Sequence, residues 1–550
     1  MNKYKAIILS LLISFMGASC EDWLYDNVNE DAAHEVLPQQ VLPVVLFYSA
    51  QLQFDHAEYG AYLTQTLTTG GRNQTSSFAY KSGWGDFLTM NRHPQWRRHF
   101  YDIGVNAKEI IDEAHEAQAW NLELIGRTLR LMSTQMTTDL FGDMPRSEAY
   151  ESNSPHYDTQ ESIYEWMNQE IEELIGMYED PTYTEAATNI PIDQSIDRVF
   201  AGDLNKWKHY TYALKARLLL RKLPNWENNA ATCQAIITAV NRALEGWEDV
   251  LYRFDGGNGA QNSPWGEAFG STEQGGLGWE GRGNMLNSAV PTKYFMENIL
   301  GVFESHNNLK GWAEDPRILA FMSARPGPSG TSDSGTEMRY LDTNIGMDVS
   351  TLFPEVDGKK VSVYTQNTGY VPLFLEEELL LIKAEATYWS GDKPTARSLT
   401  MQAAEINFDR FNLSSIYGSS YTRYRNNYLG NETGTGNYVT TYFPADGFNI
   451  GHIMRQKYVC LYLQPEQWTD MRRYNYSCEE NGIQYDNTYV YPGLKRPNNI
   501  YEAHWGDDPK AWINRINYDP ETEEKYNKAE LERLGAYKNY QWLRKPMIWQ

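Results

Sequence analysis

Apolar residues recur at helical spacing in several stretches of the chain. Ile163, Trp166, Met167, Ile171, Leu174 and Ile175 fall on one face, the pattern of a helix with one buried side. Asp158 precedes this run with Glu161 three residues on, which predicts a helix start whose first side chain accepts a backbone N–H. Trp207, Tyr210, Leu214, Leu218 and Arg221 repeat the pattern after Asp203, and Ile236, Val240 and Leu244 continue it in a partner helix. Ile103, Ile110, Ile111 and Ala114 lead into a second run through Ile125, Leu129, Met132, Met136 and Leu140. Further on, Phe374 to Trp389 predicts a helix that Gly391 ends. Asp392 then caps the next one, and Pro394 fits its first turn. Helix, tight turn, helix is the tetratricopeptide-type unit. Because no strict repeat of about 34 residues recurs, the expectation is a mainly α scaffold of degenerate hairpins with little β structure; an ordinary helical bundle is the alternative.

Between these blocks lie Thr68 to Trp96, Phe254 to Asn287, Ala324 to Thr368 and Ser414 to Phe448, which mix Gly, Asn, Ser and Thr with aromatics. Loops this long inside a compact protein tend to carry function, and aromatics argue for ordered surfaces. Binding is therefore sought there.

Composition narrows the functional classes. The chain has 550 residues, 48 Lys+Arg against 72 Asp+Glu, and a formal charge of −24, which gives no global basic face for nucleic acid. With 41% hydrophobic residues it can bury a large core. At the N-terminus Lys3 and Lys5 precede the apolar run Ala6 to Met16, and Gly17, Ala18 and Ser19 stand directly before Cys20. Residues 1–19 read as a secretory signal too short to span a membrane. A cysteine after small residues resembles a bacterial lipobox, with Cys20 as the lipidated first residue, residues 20–36 as the anchored tether and 20–550 as one binding domain. The acidic residues Glu21, Asp22 and Asp26 read either as a surface-export signal or as a solvated tether. Cys233, Cys460 and Cys478 make no disulfide framework; Cys460 with Cys478 is the one plausible pair, and buried thiols are the alternative.

Catalytic motifs are weak. Gly276 to Gly281 matches GxGxxG without a preceding strand, which a dinucleotide site requires. There is no Walker loop, HExxH or GxSxG, and His93 and His99 lack metal-ligand spacing. No cofactor or metal is expected. Acidic groups such as Glu376 to Glu378, Asp86 and Asp102 keep a two-carboxylate surface glycoside hydrolase as the rival reading, with a structural or adhesive surface protein as a third.

A set of short landmarks runs in order along the chain. Asp22-Trp23-Leu24 and Asn29-Glu30-Asp31 follow Cys20, and Asp139-Leu140-Phe141-Gly142-Asp143-Met144-Pro145 precedes Glu148-Ala149. Ile163-Tyr164, Trp207 with Leu214-Lys215-Ala216-Arg217, Asp315-Pro316-Arg317 and Ala384-Glu385-Ala386 come next. Gln456-Lys457-Tyr458 then leads to Trp468-Thr469-Asp470-Met471-Arg472-Arg473. Together these resemble the SusD/RagB-like nutrient-binding lipoproteins of Bacteroidota. The departures are C-terminal: no Pro follows the Arg-Arg turn in Tyr474 to Ser477, and Arg496-Pro497-Asn498-Asn499 only loosely echoes the usual tail. The resemblance implies a non-catalytic protein, lipid-anchored in the outer membrane and facing the cell exterior. It would capture an oligosaccharide or polysaccharide, or in RagB-like relatives a peptide, and present it to a SusC-like TonB-dependent transporter as a hinged lid. Arg472 and Arg473 are expected to be structural, in buried pairs.

A pyranose has apolar C–H faces and polar edges, so an aromatic ring flanked by Asn, Asp or Arg satisfies both. Two half-sites fit that chemistry. Trp84 lies amid Phe78, Tyr80 and Asp86, with Arg72 and Asn73 upstream and Trp96 shortly after. Trp279 stands in a glycine-rich loop beside Arg282 and Asn284, with Trp265 upstream. Trp166 and Trp207 sit at core spacing on helix faces and are expected to pack rather than bind.

Overall fold

The computed structural model describes residues 37–69, 93–152, 154–257, 261–267, 286, 289–302, 314–324, 339–340, 347–356, 358–430, 438–496, 505 and 508–550. Among these residues helix outweighs strand, 56% against 5%, and the expected mainly α class holds.

The principal helices are α1 (Pro38–Leu63), α2 (Asn106–Glu116), α3 (Trp120–Phe141), α4 (Gln160–Glu179), α5 (Leu204–Leu220) and α6 (Ala230–Leu244), followed by α7 (Glu376–Trp389), α8 (Lys393–Arg410), α9 (Ser419–Leu429), α10 (Ile450–Cys460) and α11 (Glu466–Arg473). Neighbours in sequence pack on one another in hairpin-like pairs: α2 on α3, α3 on α4, α4 on α5, α5 on α6 and α7 on α8. The array is continued where α6 meets α7 across a long connection, and α10 closes it against α7 and α8. Helix α1 lies against α2, α3 and α11 and is buried along most of its length.

Capping explains where the hairpins start. Asp203 accepts the N–H groups of Asn205 and Lys206 at 2.9 and 3.2 Å, and Asp392 accepts that of Thr395 at 3.0 Å, each satisfying an otherwise orphaned donor. Gly391, at φ +98°, makes the left-handed turn between α7 and α8. The start of α4 differs from expectation by one residue. Thr159, not Asp158, accepts from Ser162 N at 3.2 Å, because the Asp158 carboxylate is engaged by the N–H groups of Arg146 and Ser147 at 2.9 Å each. Helix α7 begins at Glu376 rather than Phe374, since Tyr370–Phe374 is a strand paired antiparallel to Val250–Arg253.

The stretch Ser414 to Phe448, read as loop, contains α9. Tyr421 and Tyr428, two turns apart, are both fully buried, and Tyr428 stacks on Tyr442 at 4.6 Å. Polar neighbours such as Arg423 and Arg425 mask this stripe in the sequence. The core itself is aromatic-rich: Trp207 is wholly buried with its indole N–H on Asp197 Oδ2 at 2.9 Å, and truncating such a residue costs about 3–5 kcal/mol. Trp166 is half-buried under the guanidinium groups of Arg130 and Arg146. The three cysteines Cys233, Cys460 and Cys478 are free and buried, so the Cys460–Cys478 pair does not form.

Candidate functional site

Two short strands flank the aromatic stretches singled out in the sequence. Strand β1 (Leu67–Thr69) pairs antiparallel with β2 (Ala289–Pro291), placing Leu67 opposite Pro291 and Thr69 opposite Ala289. Thr69, which precedes the first aromatic stretch in sequence, and Ala289, which follows the second, are thus cross-strand partners. This ribbon is fastened to the helices by polar side chains in the interior. Thr66 Oγ1 donates to the Tyr458 hydroxyl at 2.8 Å, that hydroxyl donates to Thr64 O at 2.9 Å, and Gln467 Nε2 donates to Tyr458 O at 2.7 Å. The Thr292 hydroxyl donates to Gln65 O, and its N–H to Thr66 O at 3.2 Å. Burial raises the Tyr458 phenol, which keeps it a neutral donor.

Of the sequence-derived contacts, Arg72, Asn73, Phe78, Tyr80, Trp84, Asp86, Trp279, Arg282 and Asn284, together with Cys20 and the Gly276 to Gly281 motif, lie outside the described residues. Trp96 and Trp265 are described, and both are packed away. Trp96 is 2% exposed, stacks on Tyr157 at 6.0 Å, meets Phe141 at 4.9 Å and Phe100 at 4.6 Å, and donates Nε1–H to Glu523 Oε1 at 2.9 Å. Trp265 is 1% exposed and edge-on to Phe54 at 4.5 Å. Neither ring presents an open face to a ligand, a correction to the reading of both as contacts. In the opposite sense, sequence reasoning passed over Trp226, an exposed ring in the turn Pro224 to Asn229. Its Pro/Asn-rich surroundings carry the same signal as the two half-sites.

The landmark charges form an internal network. Asp139 accepts from the Tyr164 hydroxyl, from Arg221 Nε and Nη2 at 3.0 and 2.9 Å and from Trp549 Nε1 at 3.2 Å, while Arg221 Nη2 also reaches Glu466 at 2.7 Å. Arg217 grips Glu378 with two bonds of 2.8 and 2.9 Å. Arg473 does the same to Glu385 and adds Asp470, and Lys457 bridges those two carboxylates. Asp315 and Arg317 pair at 2.6 Å with neither side chain exposed. Burial raises the Glu385 carboxyl, but the charges of Arg473 and Lys457 outweigh it and bring it down to about 2. The balance at Glu466, set by Arg221 and Arg217, has the same result, about 2. Arg472 departs from the expected ion pair. Its guanidinium lies 3.8 Å from the Trp468 ring centroid and donates to the backbone carbonyls of Asp139 and Asn514.

Of the carboxylates that kept hydrolysis open, Asp86 lies outside the described residues, while Glu377, Glu378 and Asp102 are engaged by arginines. Glu377 accepts from Arg410 Nε at 2.7 Å, and Asp102 pairs with Arg98 at 2.8 Å. Both are buried. Among the described residues no His, Cys, Asp and Glu group could hold a metal ion, and no helix is long and apolar enough to cross a membrane.

Helical hairpins whose landmark charges pair internally define a scaffold of the tetratricopeptide-like type. The family model for SusD-like proteins, described as starch-binding and associating with the outer membrane, matches residues 35–491. The chain belongs to the SusD-like family, whose members are non-catalytic nutrient-binding proteins of Bacteroidota polysaccharide-utilisation systems, associated with SusC-like transporters at the outer membrane. Solved structures with the same fold include a SusD/RagB family protein from Bacteroides thetaiotaomicron, at 16% identity and TM-score 0.60 over 94% of this chain and 99% of that one. A chitin-binding SusD homolog from Flavobacterium johnsoniae has 16% identity and TM-score 0.59 over 93% and 97%. A SusD homolog from Parabacteroides distasonis has 18% identity and TM-score 0.59 over 94% and 98%. No curated protein matches the sequence.

Proposed function

We propose that this protein is a cell-surface lipoprotein, anchored through Cys20, that captures an oligosaccharide or polysaccharide and delivers it as a lid to its SusC-like transporter. The aromatic stretches Arg72 to Asp86 and Trp279 to Asn284 form the two halves of its ligand site. The observation that carries this reading is the pairing of Thr69 with Ala289, which sets the stems of the two stretches side by side. Two rings brought to one place can sandwich or span consecutive sugars, whereas separate loops would each bind weakly. Support for sugar over peptide comes from the family description as starch-binding and from the chitin-binding relative.

The test is native affinity electrophoresis of the purified protein through gels cast with a panel of polysaccharides, with reducing ends assayed in parallel. Retardation without new reducing ends is expected. The double variant Trp84→Ala, Trp279→Ala weakens retention at least about tenfold, the loss of roughly 1.4 kcal/mol, with the melting temperature nearly unchanged. Equal retention by the double variant would move the site elsewhere, and new reducing ends would restore the hydrolase reading.

A further inference from the structure

Among the described tryptophans Trp226 alone is exposed, with 43% of its surface open. It stands in the connection between α5 and α6, and Tyr164 of α4 meets its ring edge-on at 6.0 Å. The backbone beneath it is fixed. The side-chain amide of Asn225 is engaged at both ends, Nδ2 donating to Arg473 O at 2.6 Å and Oδ1 accepting from the Tyr485 hydroxyl at 2.9 Å. Asn475 Nδ2 donates to that same hydroxyl at 2.8 Å, and Glu227 N closes the turn on Lys222 O at 2.7 Å. Arg473, whose carbonyl receives Asn225, is itself held in the buried pairs with Glu385 and Asp470. An indole on such a mount loses little conformational freedom when a ligand covers it, which is the condition for a preorganised contact.

The surroundings select the kind of ligand. No other exposed large apolar side chain among the described residues belongs to α4, α5, α6 or the segment 474–489. The neighbours are instead the polar Asn225, Glu227, Asn228 and Asn229, all exposed. A stable protein interface centres on a contiguous apolar patch of several hundred Å², and the described residues around Trp226 form none. A sugar needs one flat ring with hydrogen-bonding groups at its rim.

We propose that Trp226 is a further carbohydrate contact, a platform on which one pyranose of a polysaccharide stacks while Glu227 and Asn228 hydrogen-bond its hydroxyls. The proposal rests on the glycan reading above and adds to it a contact on the helical scaffold, apart from the two loops.

The experiment is fluorine NMR of the fluorotryptophan-labelled protein, with the Trp226 signal assigned by its loss in Trp226→Phe. The probes are maltohexaose, chitohexaose, cellohexaose, xylohexaose and mannohexaose, run beside the affinity gels. The expected result is a shift of the Trp226 signal with the sugar class that retards the protein, and about three- to tenfold weaker retention in Trp226→Ala, partly restored in Trp226→Phe. If the retarding sugar leaves the Trp226 signal in place and Trp226→Ala binds as before, the contact is overturned while the glycan function stands. If no sugar retards the protein or moves any tryptophan signal, both fall. A signal that moves only on adding purified SusC-like transporter overturns the sugar contact in favour of a protein one.

Discussion

Arg473 and Glu385 face each other in the interior with neither side chain exposed, joined by two hydrogen bonds of 2.8 and 2.9 Å. They connect the end of α11 to the middle of α7, and the Tyr474 hydroxyl donates to Glu385 at 2.7 Å on the same side. Removing Glu385 leaves two buried cations, Arg473 and Lys457, sharing Asp470 as their one remaining carboxylate in this group. Glu385→Ala is therefore expected to destabilise the protein by about 3–5 kcal/mol, seen as a lower urea midpoint with an unchanged slope. The paired replacement Glu385→Leu, Arg473→Met should lose less than the single variant. Equal or greater loss in the pair would mean that the ion pair itself, not the stranded charge, sets the cost.

Gly142, at the end of α3, has φ +87° and ψ −123°, a conformation open to glycine and closed to L residues with a Cβ. A Cβ here would also run into the Arg515 guanidinium, which donates to the carbonyls of Lys545 and Pro546. Gly142→Ala should cost about 2 kcal/mol or more and loosen the C-terminal segment first. Hydrogen exchange of residues 543–549 checks this, and unchanged protection there would refute the link to Arg515.

Local signals in the sequence were readable where the physics is local. Asp203 and Asp392 cap the helices they precede because a carboxylate two or three residues before free N–H groups needs nothing else. Asp158 was misassigned by one residue since its competing donors, Arg146 and Ser147, lie 12 and 11 residues away. Trp96 looked like a loop aromatic; its cover includes Tyr518, 5.5 Å away in space and hundreds of residues away in sequence. Arg472 and Arg473 are adjacent and chemically identical, yet one stacks on Trp468 and the other pairs with Glu385. Only the direction each side chain takes from α11 separates them. The two half-sites rest on residue type alone, and the Thr69 to Ala289 pairing between the segments that flank them is tertiary.

His56 and His99 are 5% and 4% exposed. Burial lowers His56 to about 3, with the Arg472 charge acting in the same sense and Glu466 against it, and burial alone lowers His99 to about 3. Unfolded, each titrates near about 6.5. As pH falls below that value the unfolded chain takes up protons that the folded one does not. The stability they contribute is thus complete above pH ~6.5 and declines by about 1.4 kcal/mol per pH unit per histidine on the way down to their folded values. Glu385 and Glu466, held at about 2, add to the loss only below pH ~4.5. Glu523, raised by burial, works in the opposite direction. Urea unfolding at pH 7, 6 and 5 should show His56→Gln losing part of the acid sensitivity of the parent protein. Parallel curves for the two proteins would rule out His56 as a source of it.

With the hairpin from Phe374 to Phe411 taken, as a hypothesis, to be the transporter-docking element, its packing restricts which part can serve. Helix α7 is enclosed by α5, α6, α8 and α10, so only the outer face of α8 is available. Its exposed positions include Ser398, Gln402, Glu405 and Asp409. Glu405 and Asp409 both accept from Arg425 Nη2 of α9, at 3.3 and 2.8 Å, with side chains 51% and 69% exposed. Pairs this open contribute about 1 kcal/mol or less, so reversing both charges disturbs folding little. Glu405→Lys with Asp409→Lys is expected to abolish copurification with the SusC-like transporter while shifting the melting temperature by only a few degrees. A complex that survives both reversals places the docking face on another side of the scaffold.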